Sequence, residues 1–140
     1  MSAAFVLDPR LQADTHAVLD LPLSRVLLMD DARFPWLILV PRVSGARELL
    51  DLDAGDQRLL LAETTRVAQL LRDVHAPCKL NIAALGNVVE QLHVHVIARK
   101  PTDAAWPRPV WGVAGRVGHA GEAARTLVTG LRAALRATSP

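Results

Sequence analysis

The 140-residue sequence predicts an α+β domain, and three observations carry the prediction. Three strand-like runs, residues 15–21, 25–30 and 36–40, follow one another through connections too short for a parallel crossover, so they should form an antiparallel meander. Residues 54–75 repeat apolar side chains at helical spacing. Two further strand runs and a closing amphipathic helix bring the total to five strands, one long helix and a C-terminal helix. A chain of this length with 51% apolar residues fits a single domain, residues 1–140, around one core.

Each element has its own local reason. Asp8-Pro9-Arg10-Leu11-Gln12-Ala13-Asp14 starts a single helical turn, with an acidic cap and proline at the first helical position. In residues 15–21, Ala17, Leu19 and Leu21 alternate with His16, Val18 and Asp20, the pattern of a half-buried strand that Pro22 ends. The turn-rich Asp31-Ala32-Arg33-Phe34-Pro35 separates the second strand from the third. Residues 44–52 suggest a short helical piece. Asp53, with Asp56 three residues on, caps the long helix, which Pro77 stops. Its Leu60, Val67, Leu71 and Val74 share one face, with Arg58, Glu63, Arg66 and Asp73 elsewhere, so it should cover one side of the sheet. Residues 78–84 form the fourth strand, Gly86-Asn87 the turn after it, and residues 91–99 the fifth. Pro, Gly and Trp make residues 101–121 irregular. Leu127, Leu131 and Leu135 then mark a helix over 122–136, weakened by Gly130.

Composition excludes several functions. The 16 basic and 14 acidic residues leave a net charge of +2, with Arg25, Arg33, Arg66, Arg99, Arg116 and Arg136 in different segments. A nucleic-acid surface more often clusters basic residues with aromatics between them, and a chain without tyrosine has few stacking platforms. Nucleic acid is therefore not an expected partner. Cys78 is the only cysteine, so no intrachain disulfide forms and a reducing compartment is the simpler assumption. Residues 1–8 lack the basic start and apolar stretch of an export signal, and apolar runs such as 36–40 are too short to cross a bilayer. The expectation is a cytoplasmic protein with no membrane partner.

The chemistry is concentrated in Gln91-Leu92-His93-Val94-His95-Val96-Ile97-Ala98-Arg99. Strand side chains alternate between faces. Leu92, Val94, Val96 and Ala98 form an apolar face for the core, while Gln91, His93 and His95 project from the opposite, open face. A single strand histidine is most often structural, but two at i and i+2 with an amide in phase form a reactive group. Neutral imidazole serves as nucleophile, base or metal ligand near neutral pH. A zinc site needs three or four protein ligands, and these two histidines supply two. His75 and Cys78, two residues apart at a helix end, have no recognised spacing to them. No metal or other cofactor is expected, and a His-based metal site stands as an alternative.

Asn81, Gly86 and the run from Gln91 to Ile97 resemble the signature of the histidine triad (HIT) superfamily of nucleotidyl hydrolases and transferases, His-φ-His-φ-His-φ-φ with φ apolar. The resemblance extends more weakly over most of the chain. It implies a HIT-like α+β fold with a five-stranded antiparallel sheet, a homodimer, and a purine nucleotide or nucleotide conjugate as ligand. By position, His93 would attack the α-phosphorus of a nucleotide ester, anhydride or phosphoramidate, and His95 would donate a hydrogen bond to a phosphate oxygen. Asn81 and the Gly86 turn would hold the phosphate, and Asp30 the ribose hydroxyls. Trp106 and Trp111 fit packing or dimer contacts better than base stacking. Gln91 departs from the pattern: it retains the backbone carbonyl that orients the nucleophile but has no titratable proton for a leaving group. The alternative this leaves is a nucleotide-binding module of the same fold with weak turnover.

Overall fold

The computed structural model describes residues 4–137; Met1-Ser2-Ala3, the start of the segment considered as a leader, lie outside the described residues. Five strands form one antiparallel sheet: β1 (Thr15–Asp20), β2 (Ser24–Met29), β3 (Trp36–Pro41), β4 (Lys79–Ala83) and β5 (Val94–Arg99). Their order across the sheet is β1-β2-β3-β5-β4. The meander of the first three strands is as expected. β5 then inserts between β3 and β4, which leaves β1 and β4 as the edges.

A short helix, α1 (Pro9–Asp14), precedes β1, and the Asp8 carboxylate accepts the Arg10 N–H at 2.8 Å to start it. The long helix α2 (Ala54–His75) begins where Asp53 accepts the Asp56 N–H at 2.8 Å. It ends at Ala76, which adopts the left-handed conformation (φ 43°) that closes many helices. The closing helix is α3 (Gly121–Ala137). Residues 44–52 hold only one 3₁₀ turn, Leu49–Asp51, instead of a longer helical piece.

α2 and α3 pack on one face of the sheet. Leu60, Val67 and Leu71 of α2 and Val128, Leu131 and Leu135 of α3 meet Leu28, Leu37, Val96 and Ala98 there. Two side chains of α2 trade their expected places. Val74 is 60% exposed, whereas Glu63 is 3% exposed because its carboxylate accepts the N–H groups of Leu23 and Ser24, both at 2.9 Å. A buried carboxylate is stable only when so satisfied.

The other face is also covered, contrary to the expectation of an open histidine face. Leu11 from the N-terminal segment and Ala105 and Val110 from the irregular segment form a second apolar cluster with Leu27, Trp36, Ile38 and Ile97, and Phe5, Leu7 and Trp111 pack against it. All six residues of β5 are buried as a result. β1 corrects a further detail. Its register slips between Ala17, opposite Leu27, and Leu19, opposite Val26. Val18 is the extra residue of a bulge and turns inward at 2% exposure, leaving Ala17 exposed.

Candidate active site

β5 starts at Val94, so Gln91, Leu92 and His93 form the irregular lead into it and His95 lies within it. His93 and His95 are 7% and 4% exposed, and their ring centroids stand 4.8 Å apart in an edge-to-face arrangement. Their hydrogen-bond partners differ in kind. His93 Nδ1 lies 2.7 Å from the Gln91 carbonyl oxygen. A carbonyl only accepts, so Nδ1 carries the hydrogen, and the neutral ring has its lone pair on Nε2. His95 Nδ1 lies 3.0 Å from Trp36 Nε1. An indole N–H only donates, so His95 Nδ1 accepts and its hydrogen sits on Nε2. One ring thus offers a lone pair and its neighbour a donor.

Burial, reinforced by the adjacent His93, pushes the His95 pKa down to about 3, so its ring is neutral near pH 7. The indole of Trp111 packs edge-on against His95 at 5.1 Å and against Trp36 at 6.2 Å, which makes it a wall of this site. The Trp111 indole N–H is buried without a partner among the described residues. Neither tryptophan contact was visible in the motif: Trp36 is 59 residues from His95 in the chain. β3 supplies it because Ile38 lies opposite His95 in the sheet.

The Gln91 side chain is fully engaged elsewhere. Its Oε1 accepts the Asp8 N–H at 2.8 Å and its Nε2 donates to the Val6 carbonyl at 2.9 Å. The amide thus clamps the N-terminal segment, while the backbone carbonyl of the same residue holds His93.

Asn81 lies opposite Ile97, and Ala83 opposite His95, so Asn81 is a diagonal neighbour of His95 on the histidine face. Its Oδ1 accepts from Arg99 Nη1 at 2.9 Å, which leaves the amide NH₂ as its donor end. Arg99 is 1% exposed, binds Asp103 through Nε at 2.7 Å and reaches the Arg108 carbonyl at 2.8 Å. The Arg99 guanidinium, aided by nearby backbone N–H groups, holds the Asp103 carboxyl far below the usual carboxylate range. Gly86 adopts φ 74°, a left-handed turn that suits glycine, in the loop between β4 and the histidines.

Asp30 is not brought to this group. Its carboxylate accepts the His119 N–H at 2.8 Å and pairs with His16 Nε2 at 2.9 Å, contacts that lower its pKa, the His119 bond most. His16 lies opposite Leu28, whose side chain belongs to the helix-side core. Asp31, two residues past the end of β2, is 3% exposed. Burial alone would raise the Asp31 pKa, but the Arg33 side chain, 2.8 Å from Oδ2, and nearby amides outweigh it and lower it. Arg33 in turn donates to the Val113 carbonyl at 3.2 Å and lies over Phe34, both in the histidine-side cluster, so of the two adjacent aspartates Asp31 is the one tied to that side, and the motif reading passed over it. No group of three or more His, Cys, Asp or Glu that could hold a metal occurs among the described residues.

A family model described as HIT domain matches residues 10–102. A histidine triad protein from Bradyrhizobium japonicum is 49% identical, covers 95% of this chain and 99% of its own, and superposes with a TM-score of 0.91. One from Marinobacter aquaeolei VT8 is 42% identical over 98% and 100%, with a TM-score of 0.93. A hypothetical histidine triad nucleotide-binding protein from Sulfolobus tokodaii shares the fold at 17% identity, with a TM-score of 0.61 over 88% of this chain and 85% of its own. No curated protein matches. With its model match, these neighbours and the paired His93 and His95, the chain belongs to the HIT, or histidine triad, family.

Proposed function

We propose that this protein is a nucleotidyl hydrolase or transferase that works through a nucleotidyl-His93 intermediate. The observation that carries the reading is the pair of complementary tautomers: a lone pair on His93 Nε2 beside a hydrogen on His95 Nε2. His93 Nε2 attacks the α-phosphorus, the bond to the leaving group breaks, and that group departs with the electron pair. The Gln91 carbonyl keeps its hydrogen bond to Nδ1–H and stabilises the cationic ring of the intermediate. Water, or another acceptor, then attacks phosphorus, the P–N bond breaks, and the electron pair returns to Nε2 as the acceptor's proton goes to solvent. Covalent catalysis divides one hard displacement into two easier ones.

His95 Nε2–H donates to a non-bridging phosphate oxygen, the amide of Asn81 donates beside it, and backbone N–H groups near Gly86 complete the cradle. The ribose end lies toward Asp31 and Arg33, on the histidine face, instead of Asp30. The ligand class is a purine nucleotide or a conjugate of one; the Sulfolobus neighbour, named a nucleotide-binding protein, supports nucleotide binding by this fold.

We also propose a homodimer. The tryptophan segment, whose Val110 and Trp111 pack on the sheet, is not the surface that suggests it. That surface is a cleft of about 490 Å³ between α2 and edge strand β4, lined by Leu49, Leu60, Leu61, Ile82 and Val94, with Leu61 68% and Ile82 51% exposed. Apolar side chains grouped at a sheet edge are what a second copy covers.

The test is turnover of adenylated and guanylated esters, anhydrides and phosphoramidates by wild type and His93→Ala. Release of nucleoside monophosphate by the wild type alone supports the reading. Nucleotide binding without turnover in either would favour the binding-module alternative.

A further inference from the structure

Between Val6 and Arg10 the chain is fastened to the lead of the histidine strand at three points. Gln91 binds the Val6 carbonyl and the Asp8 N–H, and Arg10 Nη1 donates to the Val88 carbonyl at 2.8 Å, across 78 residues of sequence. Two of these bonds come from the side chain at the first triad position. They bring a residue from a different part of the chain, Arg10, onto the loop that runs from Gly86 to His93, whose backbone the reading above assigns to the phosphate. Arg10 and Val88 are both exposed there.

The charges around Arg10 are uneven. Glu90, the acidic residue of the same loop, is paired with Arg47 at 2.9 Å. The Asp8 carboxylate is turned to the Arg10 backbone N–H, at 2.8 Å. Among the described residues no carboxylate lies within ion-pair distance of the Arg10 guanidinium. Among the described residues its guanidinium bonds the neutral Val88 carbonyl, which orients the fork without cancelling its charge. A guanidinium held in this way binds carboxylate or phosphate oxygens through its remaining N–H donors.

We infer that Arg10 is a specificity-determining residue for the leaving group, and that the preferred substrates are nucleotide conjugates whose leaving group carries its own anionic oxygens, a phosphate or a carboxylate. This rests on the nucleotidyl-transfer reading above and names the substrate class within it. The first triad residue contributes no acid to the departing group; its side chain instead clamps the segment that bears a cation. An anionic leaving group is bound by that cation, whereas a neutral amine gains nothing from it.

The test compares two aryl esters of AMP, one with a carboxyphenyl leaving group and one with its methyl-ester counterpart, on wild type, Arg10→Met and Arg10→Lys. Arg10→Met should lower kcat/KM for the charged ester roughly tenfold more than for the neutral ester, the scale of one hydrogen bond to a charged group. Arg10→Lys should restore most of the charged-ester activity. The wild-type preference for the charged ester should shrink as salt is raised. Equal losses on both esters, or no loss on either, would overturn the inference, provided turnover still requires His93. Turnover that survives His93→Ala would fail the underlying mechanism instead. Melting temperatures of both variants, expected close to wild type for an exposed side chain, separate a folding defect from a lost contact.

Discussion

At residue scale, His93 and His95 carry the same ring and are set to opposite tasks by what their Nδ1 atoms meet. Trp36→Phe keeps most of the packing but removes the donor that holds His95 in its Nε2–H form. Turnover should fall roughly tenfold or more, the scale of a misplaced donor, and nitrogen NMR of the imidazoles should show a mixture of His95 tautomers; a single unchanged tautomer would contradict the assignment. His95→Ala should lower the rate by roughly 10²–10³. His95 also sets a pH dependence. Its folded pKa, about 3, lies below the unfolded value near 6.5, so the unfolded chain takes up the proton first. Its contribution to stability is complete above about pH 6.5 and is lost as pH falls from there toward 3. Denaturant titrations between pH 7 and pH 4 should therefore show a steeper loss for wild type than for His95→Phe. The histidine pair was legible in the sequence through its period of two. Trp36, Trp111 and Asp31 were not, because a sheet register and the closing of a distant segment bring them in.

At the scale of elements, the amphipathic period and Asp53 cap of α2 located it from sequence to its observed ends, since its stops are local: an aspartate cap and a proline. Its C-terminal Ala76 holds a left-handed backbone that glycine adopts without strain. Ala76→Gly should stabilise the protein by about 1 kcal/mol in urea unfolding. β1 was mistaken in phase at Ala17 and Val18, though not at Leu19 and Leu21, because a bulge is a pairing event between two strands, and neither strand alone announces it. The open face expected for β5 was mistaken for a related reason: Phe5, Leu7 and Leu11 look like an unremarkable lead until they fold over Trp36 and Ile38. Gln91 is where that lead is fastened. Gln91→Ala should cost about 1–3 kcal/mol of stability for two lost hydrogen bonds and speed hydrogen exchange at Asp8; unchanged exchange would show that the segment does not depend on the clamp.

At the scale of the whole molecule, the five strands and the two longer helices followed from periodicity and turn chemistry and the single five-stranded sheet from the family resemblance, while the distribution of charge did not. Arginines dispersed along the chain meet in space, with Arg25, Arg66, Arg132 and Arg136 lining one open cleft beside β1. No helix among the described residues is long and apolar enough to cross a membrane. The apolar cleft between α2 and β4 predicts a dimer mass by light scattering at micromolar concentration, and Leu61→Glu should shift it toward monomer. A nucleotidyl bond to His93 is the claim on which the proposed chemistry stands. Rapid acid-free quenching after mixing with an adenylated substrate, followed by intact-mass and peptide mass spectrometry, tests it most directly. The account predicts a mass increase of one nucleoside monophosphate, less water, on the peptide containing His93, labile to acid and absent from His93→Ala. Turnover with no such adduct at any quench time, or an adduct on another residue, would contradict it.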